Sequence, residues 1–282
     1  MNLVLDLLWF AVILIYSYAE SLVKLFIPVK RKSVSGEIVL ITGAGQGIGR
    51  LTSYEFAKRH STLILWDINK RGVEETAEGC RKLGANAHAF VVDCSIREEI
   101  YRAAEKVKKD IGDVSILVNN AGVLTTADLL STQDKQIQKT FEVNILAHYW
   151  TTKMFLPAMM KTNHGHIVTV ASLAGYVTIP FMIAYSSSKF AAVGFHKALT
   201  EELAALGKHG INTTCLCPYF INNNFVKNLS TRLVPVVKLE TVVAQLMDGI
   251  LCNQKNGYCS TNYEIPFANG KNPARSCIEG FL

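Results

Sequence analysis

Short runs of valine, isoleucine and leucine alternate with amphipathic stretches along most of the chain, from residue 37 onwards. Each run is followed by a segment with the 3.6-residue period of a helix. Continuous apolar strands that alternate with helices are typical of a parallel sheet covered on both faces. The pattern therefore predicts a doubly wound α/β fold in one domain over residues 37–256, with strands in the runs at 37–43, 61–67, 87–94, 114–122, 165–172 and 211–218.

The first 28 residues form a different kind of segment, apolar without such an alternation. No charge occurs between Leu7 and Ala19, a stretch shorter than the ~20 residues that span a bilayer. The basic cluster at 30–32 follows, which keeps the downstream chain on the cytosolic side. We expect residues 1–28 to anchor the protein in a membrane or lipid surface and residues 29–36 to form a basic linker. A cleaved signal peptide, whose usual basic start is missing here, and a buried helix are the alternatives.

Composition narrows the classes of function without choosing one. The 282 residues are 49% hydrophobic, enough for a large core, and carry a net charge of +6. No basic stripe interleaved with aromatic residues occurs, so binding of nucleic acid is not expected. In Cys215-Leu-Cys217 the alternation of a strand would put both thiols on one face. We expect reduced, buried cysteines and no metal site, because neither the seven cysteines nor the histidines show metal-ligand spacing, among them His148, His164, His166 and His196.

A cluster of glycines follows the first predicted strand, in the sequence TGAGQGIG of residues 42–49. Gly43, Gly47 and Gly49 have the spacing G-x-x-x-G-x-G. Small residues at such a turn let the next helix N-terminus approach a pyrophosphate, whose charge meets free N–H groups. Asp67 ends the second strand, where a carboxylate accepts hydrogen bonds from an adenosine ribose and repels a 2′-phosphate. These features favour NAD over NADP, the alternative being that Asp67 caps a helix.

The sequence AYSSSKFAAVGFH at 184–196 places Tyr185 and Lys189 four positions apart at the start of an apolar-periodic stretch. On a helix the two side chains share a face, so the ammonium would favour ionisation of the phenol and lower its pKa. Ser172 ends a predicted strand, where its hydroxyl can bind a reacting oxygen. Structural roles are also open: a solvated helix start for Tyr185 and Lys189, a helix cap for Ser172 and a helix-face amide for Asn144.

The sequence resembles the short-chain dehydrogenase/reductase family over about residues 37–254. The resemblance is carried by TGAGQGIG, NNAG at 119–122, Asn144, Ser172 and YSSSK at 185–189, in the family's order and spacing. It implies a Rossmann-like fold and an NAD-dependent dehydrogenase. It also implies catalysis by Tyr185, Lys189, Ser172 and Asn144, with Lys189 holding the nicotinamide ribose and Asn144 anchoring a water that links Lys189 to solvent. The implied cofactor contacts, besides Tyr185 and Lys189, are Gly43, Gly47, Ile48, Gly49, Asp67, Asp93, Cys94, Asn120, Ala121, Gly122 and Pro218.

Within that family the chain is similar to a group of 17β-hydroxysteroid dehydrogenases that associate with lipid droplets and the endoplasmic reticulum. The anchor, LWDINK at 65–70 and HGHIVTVAS at 164–172 carry this similarity. It implies that the catalytic domain faces the cytosol, that the protein is a homodimer, and that the substrate is a hydrophobic alcohol or ketone: a steroid, a retinoid or a long-chain alcohol. Apolar residues expected near the reactive carbon are Leu173, Tyr176, Val177, Ile179, Phe181, Met182, Tyr219 and Phe220.

Two stretches depart from the family pattern. Relatives usually carry Thr-Gly where this chain has Asn223 and Asn224, and that threonine contacts the nicotinamide carboxamide. Residues 257–282 form a divergent polar tail in place of an apolar strand and an amphipathic segment. If the last strand is missing, the sheet has an unpaired edge, and Tyr263–Phe267 would be a poor central strand there because of Pro266. The alternative function is a lipid-surface scaffold that keeps the fold and nucleotide but has little or no activity.

Overall fold

The computed structural model describes residues 9, 10, 12, 15, 16, 30–219, 221 and 237–254, and the backbone of residues 256–259. The chain divides into two compact units, Met1–Lys32 and Ser33–Leu282. Most of the anchor predicted for residues 1–28 lies outside the described residues, and it stays a prediction. Among the residues that the structure describes, no helix has the length and hydropathy needed to cross a membrane. The described residues within that segment are helical and exposed: Trp9, Phe10, Val12, Ile15 and Tyr16.

Seven parallel strands form one sheet in the second unit, in the order β3-β2-β1-β4-β5-β6-β7. The predicted doubly wound, Rossmann-like fold is confirmed. The order changes direction between β1 and β4, and in open sheets of this kind ligands bind beside the carboxyl ends of the strands at that point. The strands are β1 (Ile38–Thr42), β2 (Thr62–Asp67), β3 (Ala87–Val91), β4 (Ile116–Asn119), β5 (Gly165–Val170), β6 (Ile211–Pro218) and β7 (Asn256–Cys259).

Helices cover both faces of the sheet and follow the strands as the periodicity predicts. A π-helical turn, Glu142–Leu146, joins two of them, and a short 3₁₀ turn, Leu173–Gly175, follows β5. The α-helices are α1 (Gly47–Ala57), α2 (Lys70–Lys82), α3 (Arg97–Asp110), α4 (Asp134–Phe141), α5 (Ala147–Thr162), α6 (Ile183–Ala205) and α7 (Leu239–Leu251).

The apolar runs are continuous because alternate side chains of each strand enter two different cores. Val39 and Ile41 of β1 pack in the same core as Phe56 of α1. Leu40, between them, packs on the other face with Phe155 of α5. Both faces of the central strands are thus removed from water, which is the reason for the unbroken hydrophobic pattern.

The strands end where the chain turns towards the cleft, and this differs from the predicted runs. The run at 87–94 is a strand only to Val91, and the run at 114–122 only to Asn119. The residues that follow, from Val92 to Cys94 and from Asn120 to Gly122, line a cavity. Apolar character does not distinguish a strand from a buried loop at the end of that strand, which explains the difference.

The expectation of an unpaired edge beyond β6 is wrong for the described residues. The backbone of Asn256–Cys259 pairs with β6 in parallel, from Cys215 opposite Asn256 to Pro218 opposite Cys259. Ladder hydrogen bonds come from the backbone, so the polar sequence NGYC can pair without apolar alternation. The segment Tyr263–Phe267 lies outside the described residues.

Candidate active site

A cleft of about 680 Å³ opens at the carboxyl ends of β1, β2, β4, β5 and β6. Parallel strands bring residues from distant parts of the sequence to this one edge. Gly49 and Asn144 lie behind its wall. The other residues predicted for the site line the cleft: Gly43, Gly47, Ile48, Asp67, Asp93, Cys94, Asn120, Ala121, Gly122, Ser172, Tyr185, Lys189 and Pro218.

The turn between β1 and α1 requires glycine for reasons of space and backbone conformation. Gly43 has a φ of +65°, and a Cβ there would lie 2.8 Å from the Cα of Ala121. A Cβ on Gly49 would collide with the carbonyl oxygen of Gly43. The side chain of Gln46, the N-cap residue, makes no capping hydrogen bond to α1. The first N–H groups of this helix therefore remain available for an anion such as a pyrophosphate.

Asn120 holds the loop after β4 against this turn. Its Nδ2 donates to the carbonyl oxygens of Thr42 at 2.8 Å and Gly43 at 3.0 Å. The backbone N–H of Ala121 donates to Thr42 Oγ1 at 3.0 Å. The NNAG loop is thus fixed directly over the glycine turn, and both line the same part of the cleft.

Asp67 braces the glycine turn and does not cap a helix. Its Oδ2 accepts from the backbone N–H of Gly45 at 2.8 Å, and its Oδ1 accepts from that of Asn69 at 2.8 Å. The N-cap of α2 is Asn69, whose side chain accepts from Gly72 at 3.0 Å. The capping alternative is therefore excluded, and the carboxylate faces the cleft with lone pairs to spare.

Arg50 locks the far side of the same turn, and sequence reasoning missed it. Its guanidinium donates to the carbonyl oxygens of Gly45 and Gly72, and its Nε donates to Thr76 Oγ1 at 3.0 Å. It also pairs with Glu75 at 3.3 Å. Arg50 follows the last glycine of the motif, but no local pattern indicates that an arginine there would join this turn to the carbonyl group of Gly72 in α2.

Asp93 and Cys94 line the end of the cleft where the resemblance implies adenine contacts. Lys139 of α4 reaches across to Asp93 at 2.8 Å and Ser95 at 2.6 Å, and it also lines the cleft. Burial alone would raise the pKa of Asp93, but hydrogen bonds from Lys139 and Ser95 outweigh it and hold the pKa below its usual value. Lys139 was not predicted, because its partner lies 46 residues away in sequence.

Tyr185, Lys189 and Ser172 meet at the other end of the cleft, as their spacing predicts. Tyr185 and Lys189 lie on the first turns of α6, with Lys189 Nζ 5.8 Å from the centre of the tyrosine ring. Ser172 is hydrogen-bonded to the hydroxyl of Tyr185. Its Oγ also accepts from the N–H of Ala174 at 3.1 Å, so Ser172 caps the 3₁₀ turn and contacts the tyrosine at once.

Lys189 is a buried ammonium group, 4% exposed, that donates to the carbonyl oxygen of Val170 at 2.9 Å. Burial lowers its pKa to about 8, and the nearby thiols of Cys217 and Cys215 act weakly in the opposite direction. The two thiols share one face of β6, as predicted, with 3.7 Å between their sulfur atoms.

The expectation of a lowered pKa for Tyr185 is wrong for the protein's own groups, because the net shift is upward. Burial raises the pKa of the tyrosine, and the hydrogen bond with Ser172 offsets only part of that effect. Sequence spacing revealed the neighbours but not their burial, and desolvation decides the direction here. Further positive charge in the cleft would favour the phenolate.

Asn144 lies in the π-helical turn and is fully buried. Its Oδ1 accepts from the N–H of Val123 at 2.8 Å. Its Nδ2 donates to the carbonyl oxygen of Val123 at 2.9 Å and to Ser188 Oγ at 3.0 Å. The side chain thus joins the NNAG loop to α6 beside Lys189. Asn144 therefore has a structural role and also lies next to the catalytic residues. π-Helical turns often occur at functional sites.

The apolar residues expected around the substrate divide into two groups. Tyr176, Val177 and Phe181 do not line the cleft, and Phe220, Asn223 and Asn224 lie outside the described residues. Two apolar residues that were not predicted, Leu124 and Val143, line the cleft. The predicted residues that do line the wall of the cleft are Leu173, Ile179, Met182 and Tyr219.

The histidines have separate environments. His164 pairs with Glu37 at 3.0 Å, His166 is hydrogen-bonded to Thr214 at 2.8 Å, and His148 is a buried residue of α5. Among the described residues, no group of three or more possible metal ligands occurs.

Replacing Lys189 by methionine should stabilise the fold at neutral pH. The pKa of about 8 in the folded protein lies below the unfolded value of 10.5, so the buried charge costs roughly 3 kcal/mol below pH 8. Between pH 8 and 10.5 the unfolded chain binds more protons, so the cost disappears as pH rises. Urea unfolding at several pH values would measure the difference, with the exposed Lys153→Met as the control. An advantage of Lys189→Met that does not shrink above pH 8 would contradict the assignment.

Comparison with known proteins agrees with this geometry. Residues 37–233 match the family model for short chain dehydrogenase. The chain is 69% identical over 255 residues to estradiol 17-beta-dehydrogenase 11 of Mus musculus. The aligned region covers 90% of this chain and 86% of that relative. It is 67% identical over 255 residues to 17-beta-hydroxysteroid dehydrogenase 13 of Homo sapiens, covering 90% and 85%.

A solved structure gives the same fold. It is a short chain dehydrogenase/reductase from Burkholderia phymatum in complex with NAD, with a TM-score of 0.73 and 24% identity, covering 80% of this chain and 90% of that one. The sequence match over residues 37–233 and the high identity to the two mammalian relatives carry the assignment. This chain belongs to the short-chain dehydrogenase/reductase family.

Proposed function

We propose that this protein transfers a hydride between NAD and a hydrophobic alcohol or ketone, foremost a 17β-hydroxysteroid. The observation that carries the proposal is that Ser172, Tyr185 and Lys189 converge in one cleft whose opposite end holds a glycine turn and Asp67. The names of the relatives favour the steroid, since both the mouse and the human relative are named for 17β-dehydrogenase activity.

The residues at the end of the cleft that contains Tyr185 have distinct roles in oxidation. Tyr185 takes the hydroxyl proton of the substrate, and Ser172 Oγ holds the reacting oxygen beside it. Lys189 stays positively charged below pH 8, and its charge together with that of bound NAD would favour the phenolate of Tyr185. Bound NAD supplies the acceptor for the hydride that leaves the alcohol carbon. In reduction the same phenol donates the proton.

The residues at the opposite end, around the glycine turn and Asp67, fit an adenosine diphosphate group. The glycine turn leaves the α1 N-terminus open for the pyrophosphate, and a Cβ on Gly47, the first residue of α1, would meet no atom within 4 Å. Asp67 presents its carboxylate where the ribose hydroxyls would donate. The Asp93–Lys139 pair and Cys94 form the wall for the base. The cofactor is therefore NAD, because the carboxylate would repel the 2′-phosphate of NADP.

The substrate class follows from the wall near Tyr185. Leu173, Ile179, Met182 and Leu124 present an apolar surface at that end of the cleft. Such a surface suits a steroid, and a retinoid or a long-chain alcohol has the same chemistry of one hydroxyl on a hydrocarbon body. We propose a retinoid and a long-chain alcohol as further substrates.

A location at lipid droplets and the endoplasmic reticulum membrane, with the catalytic domain facing the cytosol, completes the proposal. Its support is the apolar sequence of residues 1–28 followed by the basic linker. A homodimer is proposed as well. Exposed apolar side chains lie on neighbouring elements: Leu146 of the π-helical turn, Tyr149 of α5 and Phe190 of α6. Tyr149 also contacts Phe195 of α6.

A scaffold with little or no turnover is the second candidate. The sequence features that favour it are Asn223 and Asn224 in place of Thr-Gly, and the polar tail at 257–282. Catalytic residues act only when the surrounding groups hold them and the cofactor in place. The intact Ser172, Tyr185 and Lys189 favour the enzyme.

Turnover by the full chain in phospholipid micelles tests the function directly. With NAD and estradiol we expect oxidation that falls about 10²- to 10⁴-fold in Tyr185→Phe, because the acid–base group is lost. The exposed Tyr149→Phe should behave as the parent. Retinol and a long-chain alcohol serve as parallel substrates. NAD binding by folded protein with no turnover of any substrate would favour the scaffold over the enzyme.

Asp67→Asn should change the choice of cofactor. Removing the negative charge should raise the ratio of kcat/KM for NADP to that for NAD roughly 10-fold or more, because repulsion of the 2′-phosphate disappears. The exposed Asp113→Asn is the matched control, with the same change of charge away from the cleft. An unchanged ratio would mean that Asp67 only braces the glycine turn.

A further inference from the structure

Two buried thiols of β6 lie next to each other behind the wall of the cleft. The Sγ atoms of Cys215 and Cys217 are 3.7 Å apart. Both residues are free cysteines and are at most 3% exposed. They pack in one core with Ala192 and Val193 of α6. The reaction proposed above uses neither of them.

Cys217 contacts the catalytic residues from behind. The backbone N–H of Ser172 donates to its sulfur, and the charge of Lys189 is close enough to act on both thiols. Ser172 lines the cleft, and so does Pro218, the residue after Cys217. The sulfur therefore lies directly behind the wall of a cleft that water and small solutes enter.

The surroundings of Cys217 differ from those of the other buried cysteines. The hydrogen bond from Cys215 lowers the pKa of Cys217, burial opposes this effect, and the charge of Lys189 adds to it. The same hydrogen bond raises the pKa of Cys215, its donor. Burial raises the pKa of Cys80 and of Cys94 to about 12. Because the thiolate is the reactive form of cysteine, Cys217 is the best nucleophile of these four.

We propose that hydrogen peroxide reversibly joins Cys215 and Cys217 in a disulfide that displaces Ser172 and stops turnover. In the first step the Cys217 thiolate attacks one peroxide oxygen, the O–O bond breaks, hydroxide leaves, and a sulfenic acid forms. In the second step the sulfur of Cys215 attacks that of Cys217, and the hydroxyl group leaves with the Cys215 proton as water. Two thiols and one peroxide become one disulfide and two water molecules.

Closing this bond bends β6. Residues two apart in a strand have Cα atoms about 6.6 Å apart, near the upper end of the range that a disulfide spans. β6 is paired on both sides, with β5 and with β7, so the ladder resists the bend. A strained disulfide is easily reduced. It would persist only while peroxide is in excess, which is the behaviour of a redox sensor in a reducing compartment.

Leu216, between the two cysteines, transmits the bend to the active site. Its carbonyl oxygen accepts from the backbone N–H of Ala171 at 2.8 Å, and Ala171 precedes Ser172. Moving this carbonyl moves the Ser172 hydroxyl away from Tyr185, and a displacement of about 1 Å at a reacting group can lower turnover about 100-fold. The effect on turnover rests on the proposed function; the disulfide itself does not.

Mass spectrometry of the full chain in phospholipid micelles tests the disulfide without any assay of activity. The protein is treated with hydrogen peroxide, free thiols are blocked with N-ethylmaleimide in denaturant, and the chain is cut with trypsin. Cleavage after Lys208 and Lys227 gives a peptide that contains Cys215 and Cys217 and no other cysteine. We expect this peptide to lose about 2 Da and to carry no maleimide group. Dithiothreitol before blocking should restore both thiols.

Two results of this experiment would overturn the proposal. In the first, both thiols of the peptide remain free after peroxide. In the second, Cys217 is oxidised to a sulfinic acid and no disulfide forms. In Cys215→Ser, which lacks the second thiol, dimedone should trap the sulfenic acid at Cys217. Absence of that adduct in folded Cys215→Ser would contradict the first step.

Turnover of estradiol after the same treatment tests the consequence for activity. The parent should lose activity about 10-fold or more and regain it with dithiothreitol, which does not reduce methionine sulfoxide. Cys217→Ser should keep its own untreated activity in peroxide, because the attacking sulfur is absent. The matched control is Cys252→Ser, which removes a partly exposed thiol outside β6 and should respond as the parent does.

The outcomes separate this inference from the proposed function. Equal loss of activity in Cys217→Ser and the parent would overturn the link between the disulfide and turnover, and so would a disulfide with unchanged turnover. A parent that forms the disulfide but has no turnover before treatment would contradict the proposed function and leave the thiol chemistry standing.

Discussion

The rest of the site depends on how the fold accommodates the buried positive charge of Lys189. An ammonium group with 4% exposure is tolerated only where the fold surrounds it with acceptors and fixed dipoles. The Val170 carbonyl accepts from it directly, and the ring of Tyr185 lies beside it. Burial raises the pKa of Tyr185 as well, and the hydrogen bond with Ser172 is what opposes that effect. The burial that costs stability therefore also sets the acid–base chemistry of the site.

The architecture serves to bring this charge to the correct edge of the sheet. Parallel strands end together, so a glycine turn after β1, the loop after β4 and Ser172 after β5 meet although they are far apart in sequence. Backbone N–H groups and Asp67 serve one end of the cleft, while the lysine and tyrosine serve the other. Asn144 joins the two halves through the NNAG loop and Ser188, which explains why a residue behind the cleft wall matters to it.

Sequence patterns predicted what depends on local spacing. The alternation of strands and helices, the glycine turn and the Tyr185–Lys189 pair all follow from periods and distances along the chain. The ties made by Arg50 and Lys139 were missed, because their partners are distant in sequence. Burial was missed as well, and it reversed the expected direction of the Tyr185 pKa. The strand β7 was missed because backbone pairing needs no apolar pattern.

The titration of Lys189 itself tests the central claim most directly. Protein labelled with ¹³C at the lysine Cε positions would show one resonance that is missing in Lys189→Met, and its shift with pH reports the pKa of this group alone. The account predicts a midpoint near 8, well below the 10.5 of an ordinary lysine. A midpoint at or above 10.5 would mean that the ammonium is solvated or fully paired, and that a buried charge does not organise the site.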